Sequence, residues 1–582
     1  MAKKAIVLAA GFGKRLRPFT SAVPKPLLPV WGEPMLARVV RWLRERGVEE
    51  IAVNCHYLHE QVEAWCAANG CRASYEPEIL GTGGALKALR DFIGDDDFWL
   101  VNGDIVFEGA GEIALPETAD EIGVCLASET AGPRTIEAEP ERHLVTCWKS
   151  PDPGWPGTYT YCGVACLKAE ILKYVKPDGF STIIEAYEKA AMDGLFVRAV
   201  VPEGLLWTDA GTVASYLEIN EDKDENAFAD LPQLRAAGIT GDIVFKGARG
   251  SDRAFFKAGE KYAIVYDDAA RGENAKYASH ARWLKEKGIK VPAVLADLPE
   301  MKTLVLENAG SEDLLARAKR RGEDRLYDYV AVVEELVKFN ALDPAGLALE
   351  PPFDAALYAW ERDLFKEHCL GGYFRCEMSG EVEAELVRVA DRLLKEPPAL
   401  VHRDFQSTNV IWKNDAFKII DFQGMRRGAA AYDLASLLYD PYIDLRAGER
   451  RALAALYAKK SARAEDGAFL TEVLPCAAVE RLVQALGAYG RLTALGKTEF
   501  EKHILPALEN LLEVADTLGL EALGALAEEL IARATKKTAE TSHACTCHDH
   551  GHEHGHACTC HDHGHEHACT CHHHHHGGEA RT

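Results

Sequence analysis

Over its first 220 residues the chain alternates two hydrophobic patterns. AIVLAA (5–10), EEIAVNC (49–55) and DFWLVNGD (97–104) contain short, nearly unbroken apolar runs, as strands do when both faces of their sheet are covered. PMLARVVRWLRERG (34–47) instead repeats its apolar positions every three or four residues, which predicts a helix lying on that sheet. The alternation predicts an α/β domain with a parallel sheet over residues 1–222. NEDKDENAFADLPQ (220–233) breaks it: this stretch is charged, poor in apolar residues and closes near a proline, so 223–233 is predicted to be a linker or surface helix. Beyond it GDIVFKGA, RAFFKAG and YAIVYDD are strand-like and ENAKYASHARWLKEKG is helical, while the stretch up to 536 has the pattern of long helices. A small β lobe followed by a large α lobe, a bilobal α+β domain, is expected over 234–536. The last segment, 537–582, has almost nothing apolar to bury and is expected to be disordered unless metal binds.

Composition narrows the class. A chain of 582 residues exceeds what one hydrophobic core serves, in keeping with two or three domains. With 47% apolar and 27% charged residues it is ordinary for a globular protein, and no run reaches the ~18 apolar residues of a membrane span. The apolar run after Met-Ala-Lys-Lys is too short for a signal-peptide core, so a cytoplasmic location is expected. A net charge of −24 argues against nucleic acid or an anionic membrane as partner, since either needs a basic surface. Nucleotides stay open, because acidic proteins bind them through Mg2+ and local basic loops. Ten of the 16 cysteines are scattered without a framework spacing and are expected to be reduced, packed thiols.

The first candidate chemistry lies at LAAGFGKRLRPFTSAVPKPLLPV (8–30), which leaves a strand through Gly11 and Gly13 and carries Lys14, Arg15, Arg17 and Lys25. Glycines let backbone N–H groups approach phosphate oxygens, and the cations can stabilise a triphosphate attacked at its α-phosphorus. GTGGAL (81–86), VNGD (101–104) and WTDAGT (207–212) follow in order. Together these motifs resemble the LxAGxGxRxxPxTxxxPKxLxPV signature and later motifs of sugar-phosphate nucleotidyltransferases, whose fold is Rossmann-like. The resemblance implies that Gly81, Thr82 and Gly83 pass beside base and ribose, that Asn102 contacts substrate, and that Arg15 and Lys25 clamp phosphates. It further implies Mg2+ on Asp104 and Asp209, whose hard carboxylate oxygens suit that ion. Without the family, Asp104 reads as a strand-end turn residue and Asp209 as a helix N-cap. The implied reaction is attack of a sugar-1-phosphate oxygen on the α-phosphate of an NTP with release of pyrophosphate. The attacking phosphate is already an anion, so no general base is required.

The second lies at VHRDFQSTNVIWKNDAFKIIDFQG (401–424), which holds HxDxxxxN followed by IDF. Asn409 begins an apolar strand, KNDA turns and FKIID returns; pairing about residue 415 sets Asn409 opposite Asp421. Two oxygen ligands there can share a metal bound to ATP phosphates, while Asp404 can accept a hydroxyl proton. A structural turn with hairpin capping is the simpler alternative. A protein kinase is disfavoured by the lack of APE, the lack of a lysine in YAIVYDD, and DFQG in place of DFG. Instead HRDFQSTNV, IDFQGMRRGAAAYDLASLLYDPY (420–442), KGARGSDRAFFKA (246–258) and LVLENAG (304–310) resemble the aminoglycoside phosphotransferase and choline kinase superfamily. Within it they are similar to kinases of the anomeric hydroxyl of N-acetylmuramate or N-acetylglucosamine. This implies that Gly247 to Arg253, Ser251 included, cover the phosphates, that Glu307, Asn308 and Ala309 offer backbone to adenine, and that Asp433 braces the catalytic loop. Mg2+ would sit on Asn409 and Asp421. The contact made elsewhere by the strand lysine stays unassigned, with Lys257 and Lys261 as candidates.

A kinase that places phosphate on C1 of a sugar makes the substrate of a sugar-1-phosphate nucleotidyltransferase. The pair resembles the N-acetylmuramate kinase and N-acetylmuramate-1-phosphate uridylyltransferase families of peptidoglycan recycling, which implies ATP, UTP and an amino sugar as small-molecule partners. A choline kinase joined to a cytidylyltransferase would need an aromatic cage, for which Tyr358, Trp360 and Tyr373 are candidates; mannose or heptose would suit the same folds. In the tail, HACTC recurs at 543, 556 and 567, and residues 543–576 hold fifteen His and six Cys. These ligands suit Zn2+, Ni2+ or Cu+. The C-x-C spacing is not that of folded zinc sites, so the tail reads as a metal store or sensor, or as a tolerated extension.

Overall fold

The computed structural model of the protein describes residues 2–113, 115–221, 228–249, 252–269, 272–463 and 467–545. Ser251, Asp222, residues 223–227 of the expected linker and the tail repeats beyond 545 lie outside the described residues.

In the N-terminal domain the strand Lys4–Leu8 lies between Glu50–Cys55 and Phe98–Asn102, parallel to both, and Arg72–Tyr75 extends the parallel set beyond Glu50–Cys55. The second half departs from the expected all-parallel sheet. Thr158–Leu167 joins antiparallel to Phe98–Asn102, Glu121–Ser128 runs antiparallel to it in turn, and Phe196–Val200 closes parallel to Glu121–Ser128. The helix Met35–Glu45 buries Leu36, Val39, Val40 and Leu43 against one face, the stripe that its spacing predicts. The sheet sets the ends of Lys4–Leu8 and Phe98–Asn102 side by side, and the loops leaving them carry the first candidate site.

The C-terminal domain opens with an antiparallel five-stranded sheet in the order Val244–Arg249, Arg253–Ala258, Lys261–Tyr266, Thr303–Glu307, Val294–Leu298. Helices dominate from Leu314 onward, and one of the longest, Leu474–Ala494, is buried along most of its length. The expected order of small β lobe and large α lobe therefore holds.

Alternation along the small sheet sends its two faces to different domains. Ile264, Tyr266, Leu304 and Leu306 pack into the core of the C-terminal domain. Ala254, Phe256, Ala263, Val265 and Val305 instead join Leu16, Phe19, Val23 and Leu28 of the N-terminal loop and Tyr216 of its last helix in one hydrophobic cluster. Phe19 lies 5.4 Å from the ring of Tyr216 and 6.3 Å from that of Phe256. At the edge of this cluster Asp267, at the end of the strand Lys261–Tyr266, accepts from Ser21 Oγ at 2.8 Å and from Arg17 at 3.3 Å. The described part of the expected linker contributes as well: Phe228, Leu231, Gln233 and Leu234 are buried there, and Gln233 Nε2 donates to Phe19 O at 2.7 Å. The described part of the connection is a packed wedge, because Phe228, Leu231 and Leu234 face inward.

The C-terminal helix Glu521–Cys545 runs past the expected domain end at 536. The ten described cysteines are free, seven of them buried, which fits the expectation of packed thiols. No described helix is long and apolar enough to cross a membrane.

Candidate active sites

In the N-terminal domain Gly11, Gly13, Lys14, Arg15, Lys25, Asp104 and Gly211 line one open cleft. Lys25, nearly buried, ties it together: its Nζ donates to Asp104 Oδ2 at 2.9 Å and to the backbone oxygen of Asp209 at 2.6 Å. Two aspartates more than a hundred positions apart in sequence thus meet on one lysine. Arg15 is largely exposed at the cleft mouth, 3.8 Å from Asp209 Oδ2, and Lys14 Nζ lies 5.0 Å from the Phe12 ring. Asp209 also accepts from Gly211 N–H at 2.9 Å, so it is a turn-forming residue and a site residue at once. Asn102 ends its strand as the register partner of Leu8.

Gly81, Thr82 and Gly83 do not line that cleft. They open the helix Gly81–Ala88 and dock it on residues 181–183: Gly83 N–H donates to Ser181 O at 2.9 Å, and Thr82 Oγ1 accepts from Ile183 N–H at 2.8 Å. Gly81 has φ +77, and a Cβ there would lie 2.4 Å from Ser181 O, so the position needs glycine for packing.

The C-terminal site is built on the hairpin Val410–Lys413 and Ala416–Ile419. Its two-residue turn, Asn414–Asp415 with Asn414 at φ 57, centres the pairing half a residue earlier than expected. Asn409 therefore lies opposite Ile420, whose N–H donates to Asn409 O at 2.9 Å, and Asp421 follows one position on. This corrects the expected Asn409–Asp421 pairing. Asn409 ends the short turn Ser407–Asn409 instead of starting the strand, and its amide donates to Asp404 O at 2.9 Å.

The loop 402–407 is clamped from the helical lobe. Asp433, fully buried, accepts from His402 N–H at 2.7 Å, Arg403 N–H at 2.8 Å and Asn340 Nδ2 at 3.1 Å, which is the brace expected of it. Asp440 accepts from Ser407 N–H at 2.8 Å and from its hydroxyl. Arg403 is held at φ 82, a strained value for a non-glycine residue, and the Asp433 bond to its N–H fixes it. The Asp404 carboxylate is left partly exposed with Arg481 3.6 Å away. Burial works against the Arg481 charge, but Asp404, Tyr432, Tyr489 and Asp440 together outweigh it and hold Arg481 above its ordinary value. Behind them lie two buried carboxyls: burial pushes Glu361 up to about 7 against the pull of Arg403 and Arg481, and pushes Glu480 well above the carboxylate range.

Asp421 accepts from Arg253 at 2.6 Å and from Gln423 Nε2 at 2.9 Å. Burial raises its carboxyl, and the Arg253 guanidinium, the Gln423 hydrogen bond and nearby His402 together outweigh that, leaving it below the usual value. Gly247 lies at a bulge in the strand Val244–Arg249, with open space around it. Glu307 and Asn308 engage their N–H groups with Ala293 O and Glu260 O at 3.0 and 2.9 Å, so those two donors are not available to adenine. The Glu307 side chain accepts from Ala293 N–H at 2.9 Å and pairs with Lys418. Residues that the motifs did not single out, Glu361, Asp440, Glu480 and Arg481, complete the site together with Arg253, the last residue of the stretch expected to cover the phosphates; of the four, Asp440 alone had a signal, the Asp in the quoted YDP. No cage forms from the three aromatics: Tyr358 is buried against Phe353, Trp360 is 48% exposed, and the Tyr373 hydroxyl donates to Glu501.

Both sites offer hard oxygen donors suited to Mg2+: Asp104 and Asp209 in one, Asn409 and Asp421 in the other. Among the described residues no three or more His, Cys, Asp or Glu gather as a metal cage. The donor sets thus fit an ion that fills its shell with phosphate and water.

The sequence comparisons agree with this division. Residues 4–128 match the Nucleotidyl transferase family and residues 251–470 the Phosphotransferase enzyme family. An N-acetylmuramate alpha-1-phosphate uridylyltransferase of Caulobacter vibrioides is 31% identical over 231 residues, which are 36% of this chain and 92% of that protein. The chain belongs to this nucleotidyl transferase family. To that domain it joins one of the phosphotransferase family, where an N-acetylmuramate/N-acetylglucosamine kinase of Pseudomonas aeruginosa is 27% identical over 37% of this chain. An N-acetylmuramate alpha-1-phosphate uridylyltransferase of Neisseria meningitidis is 38% identical over 18% of the chain. The chain spans 65% of the length of the Pseudomonas protein and 47% of that of the Neisseria protein.

Proposed function

We propose that the protein is a bifunctional enzyme that phosphorylates the anomeric hydroxyl of an amino sugar with ATP and then transfers a nucleotidyl group from an NTP to the resulting sugar-1-phosphate. The observation that carries this reading is the coexistence in one chain of two sites whose chemistries are consecutive. In the kinase site Asp404 accepts the sugar hydroxyl proton, and Asp433 and Asp440 fix the loop that presents it. In the transferase site Lys25 orients Asp104 and Asp209 about the cleft, and Arg15, exposed at the cleft mouth beside Asp209, is placed to meet the triphosphate. Mg2+ bound at each site would offset phosphate charge. The names of the relatives favour N-acetylmuramate or N-acetylglucosamine as sugar and UTP as nucleotide, hence UDP-N-acetylmuramate as the end product.

The test is incubation with ATP, one NTP at a time and a panel of N-acetylmuramate, N-acetylglucosamine, mannose, heptose and choline, with product masses read out. A UDP-amino sugar is expected. Phosphocholine without any sugar phosphate would sink the proposal.

A further inference from the structure

The contact with the ATP phosphates has no owner among the two lysines first considered. Lys257 lies four positions from Arg253 along the strand Arg253–Ala258, roughly 13 Å at ~3.4 Å per residue. Lys261 begins the next strand opposite Ala258, at the turn end of the same hairpin. Both are remote from Asp421.

Arg253 is at the cleft end. Its side chain is nine-tenths buried and its guanidinium meets Asp421 Oδ1 at 2.6 Å. Across the ladder it faces Tyr266, the last residue of the third strand of the small lobe. Kinases of this general architecture place the phosphate-binding lysine on that strand. Cross-strand partners hold their Cβ atoms about 5 Å apart on one face of the sheet. A cation at 253 therefore reaches the same space from the neighbouring strand. Its present partner is also informative, because a carboxylate that is only one-third exposed and destined to hold a metal is costly without a counter-charge before nucleotide binds.

We propose that Arg253 is the phosphate-binding cation of the kinase site. It neutralises Asp421 before nucleotide binds and turns to the α- and β-phosphates of ATP once Asp421 becomes a metal ligand. The inference rests on the kinase reading above.

The test uses the full-length protein and a fluorescent, non-hydrolysable ATP analogue titrated in the presence of Mg2+. R253Q is expected to weaken analogue binding about 10- to 100-fold, the range for losing charge-assisted hydrogen bonds. R253K is expected to fall between R253Q and wild type. Without nucleotide, Mn2+ binding followed by electron paramagnetic resonance is expected to tighten in R253Q, because Asp421 has lost a competing cation. Pyrophosphate release at the N-terminal site should be unchanged in both variants. Wild-type analogue affinity in R253Q would overturn the inference. So would weaker Mn2+ binding together with a lower melting temperature, which would make Arg253 a structural brace. If the wild-type protein itself binds no ATP analogue, the kinase reading falls and takes this inference with it.

Discussion

At the scale of single residues the kinase loop depends on buried acceptors. Asp433 takes two backbone N–H groups at once and fixes a residue at φ 82. Asp433→Asn keeps one acceptor oxygen and turns the other into a donor, leaving a buried N–H unpaired at about 1–3 kcal/mol. Kinase turnover is expected to drop at least about tenfold by that arithmetic, with sugar KM little changed and NTP turnover intact; steady-state kinetics of both reactions checks it. Arg15→Ala should lower nucleotidyl transfer by roughly two orders of magnitude, as loss of a transition-state cation does, and spare the kinase; a pyrophosphate assay is decisive. Glu361 gives a pH prediction. Its folded carboxyl titrates near 7 and its unfolded one near 4.5, so between those values the folded state binds more protons. Stability conferred on the protonated form is present at low pH, falls as pH rises through that window and levels off above about 7. Glu361→Gln should flatten this fall, by on the order of 3 kcal/mol at most, in melting curves taken from pH 5 to 8. Asp104, Asp209, Asp404 and Asp421 were legible in the sequence because each sits in a short local motif. Arg253 was legible only as the end of the stretch expected over the phosphates; its pairing with Asp421, and Arg481 altogether, were not, because the partners Asp421 and Asp404 lie far along the chain and the ion pairs exist only once it has folded.

At the scale of elements, the hairpin after the catalytic loop shows what a pattern can and cannot say. Both strands and their turn were legible; the register was off by half a residue because KNDA permits two turn lengths and apolar alternation does not choose between them. The loop after the strand Thr303–Glu307 has a sharper constraint. Gly310 has φ +121, and a Cβ there would sit 1.9 Å from Trp412 O, with backbone on all near sides. Gly310→Ala is therefore expected to cost more than about 3 kcal/mol, since strain and a backbone clash add. Soluble yield and denaturant midpoint of the variant would register it, and values matching wild type would show that this approach relaxes freely.

At the scale of the whole molecule, the two domains were legible as separate folds, while their union was not. A small sheet buried on both faces reads the same in sequence whether its second cover is its own helix or another domain. Phe19, Phe256, Val265 and Leu28 are each fully buried in the joint cluster, and exposing such a side chain costs about 1.5–3 kcal/mol. Residues 1–240 or 234–545 expressed alone are thus expected to show an apolar patch: dye binding, self-association in light scattering and a lower melting temperature than the full chain. Removing 546–582 is expected to leave both activities and the melting temperature unchanged.

That joint cluster also bears on the history of the gene. With apolar residues of loop and sheet at their contact, a break in the reading frame between the halves would release two sticky fragments in place of two independent enzymes. The cell then makes, folds and degrades both catalysts as a single item, at a fixed ratio of one to one. Regulation that adjusts one step must act on turnover, because it can no longer act on abundance.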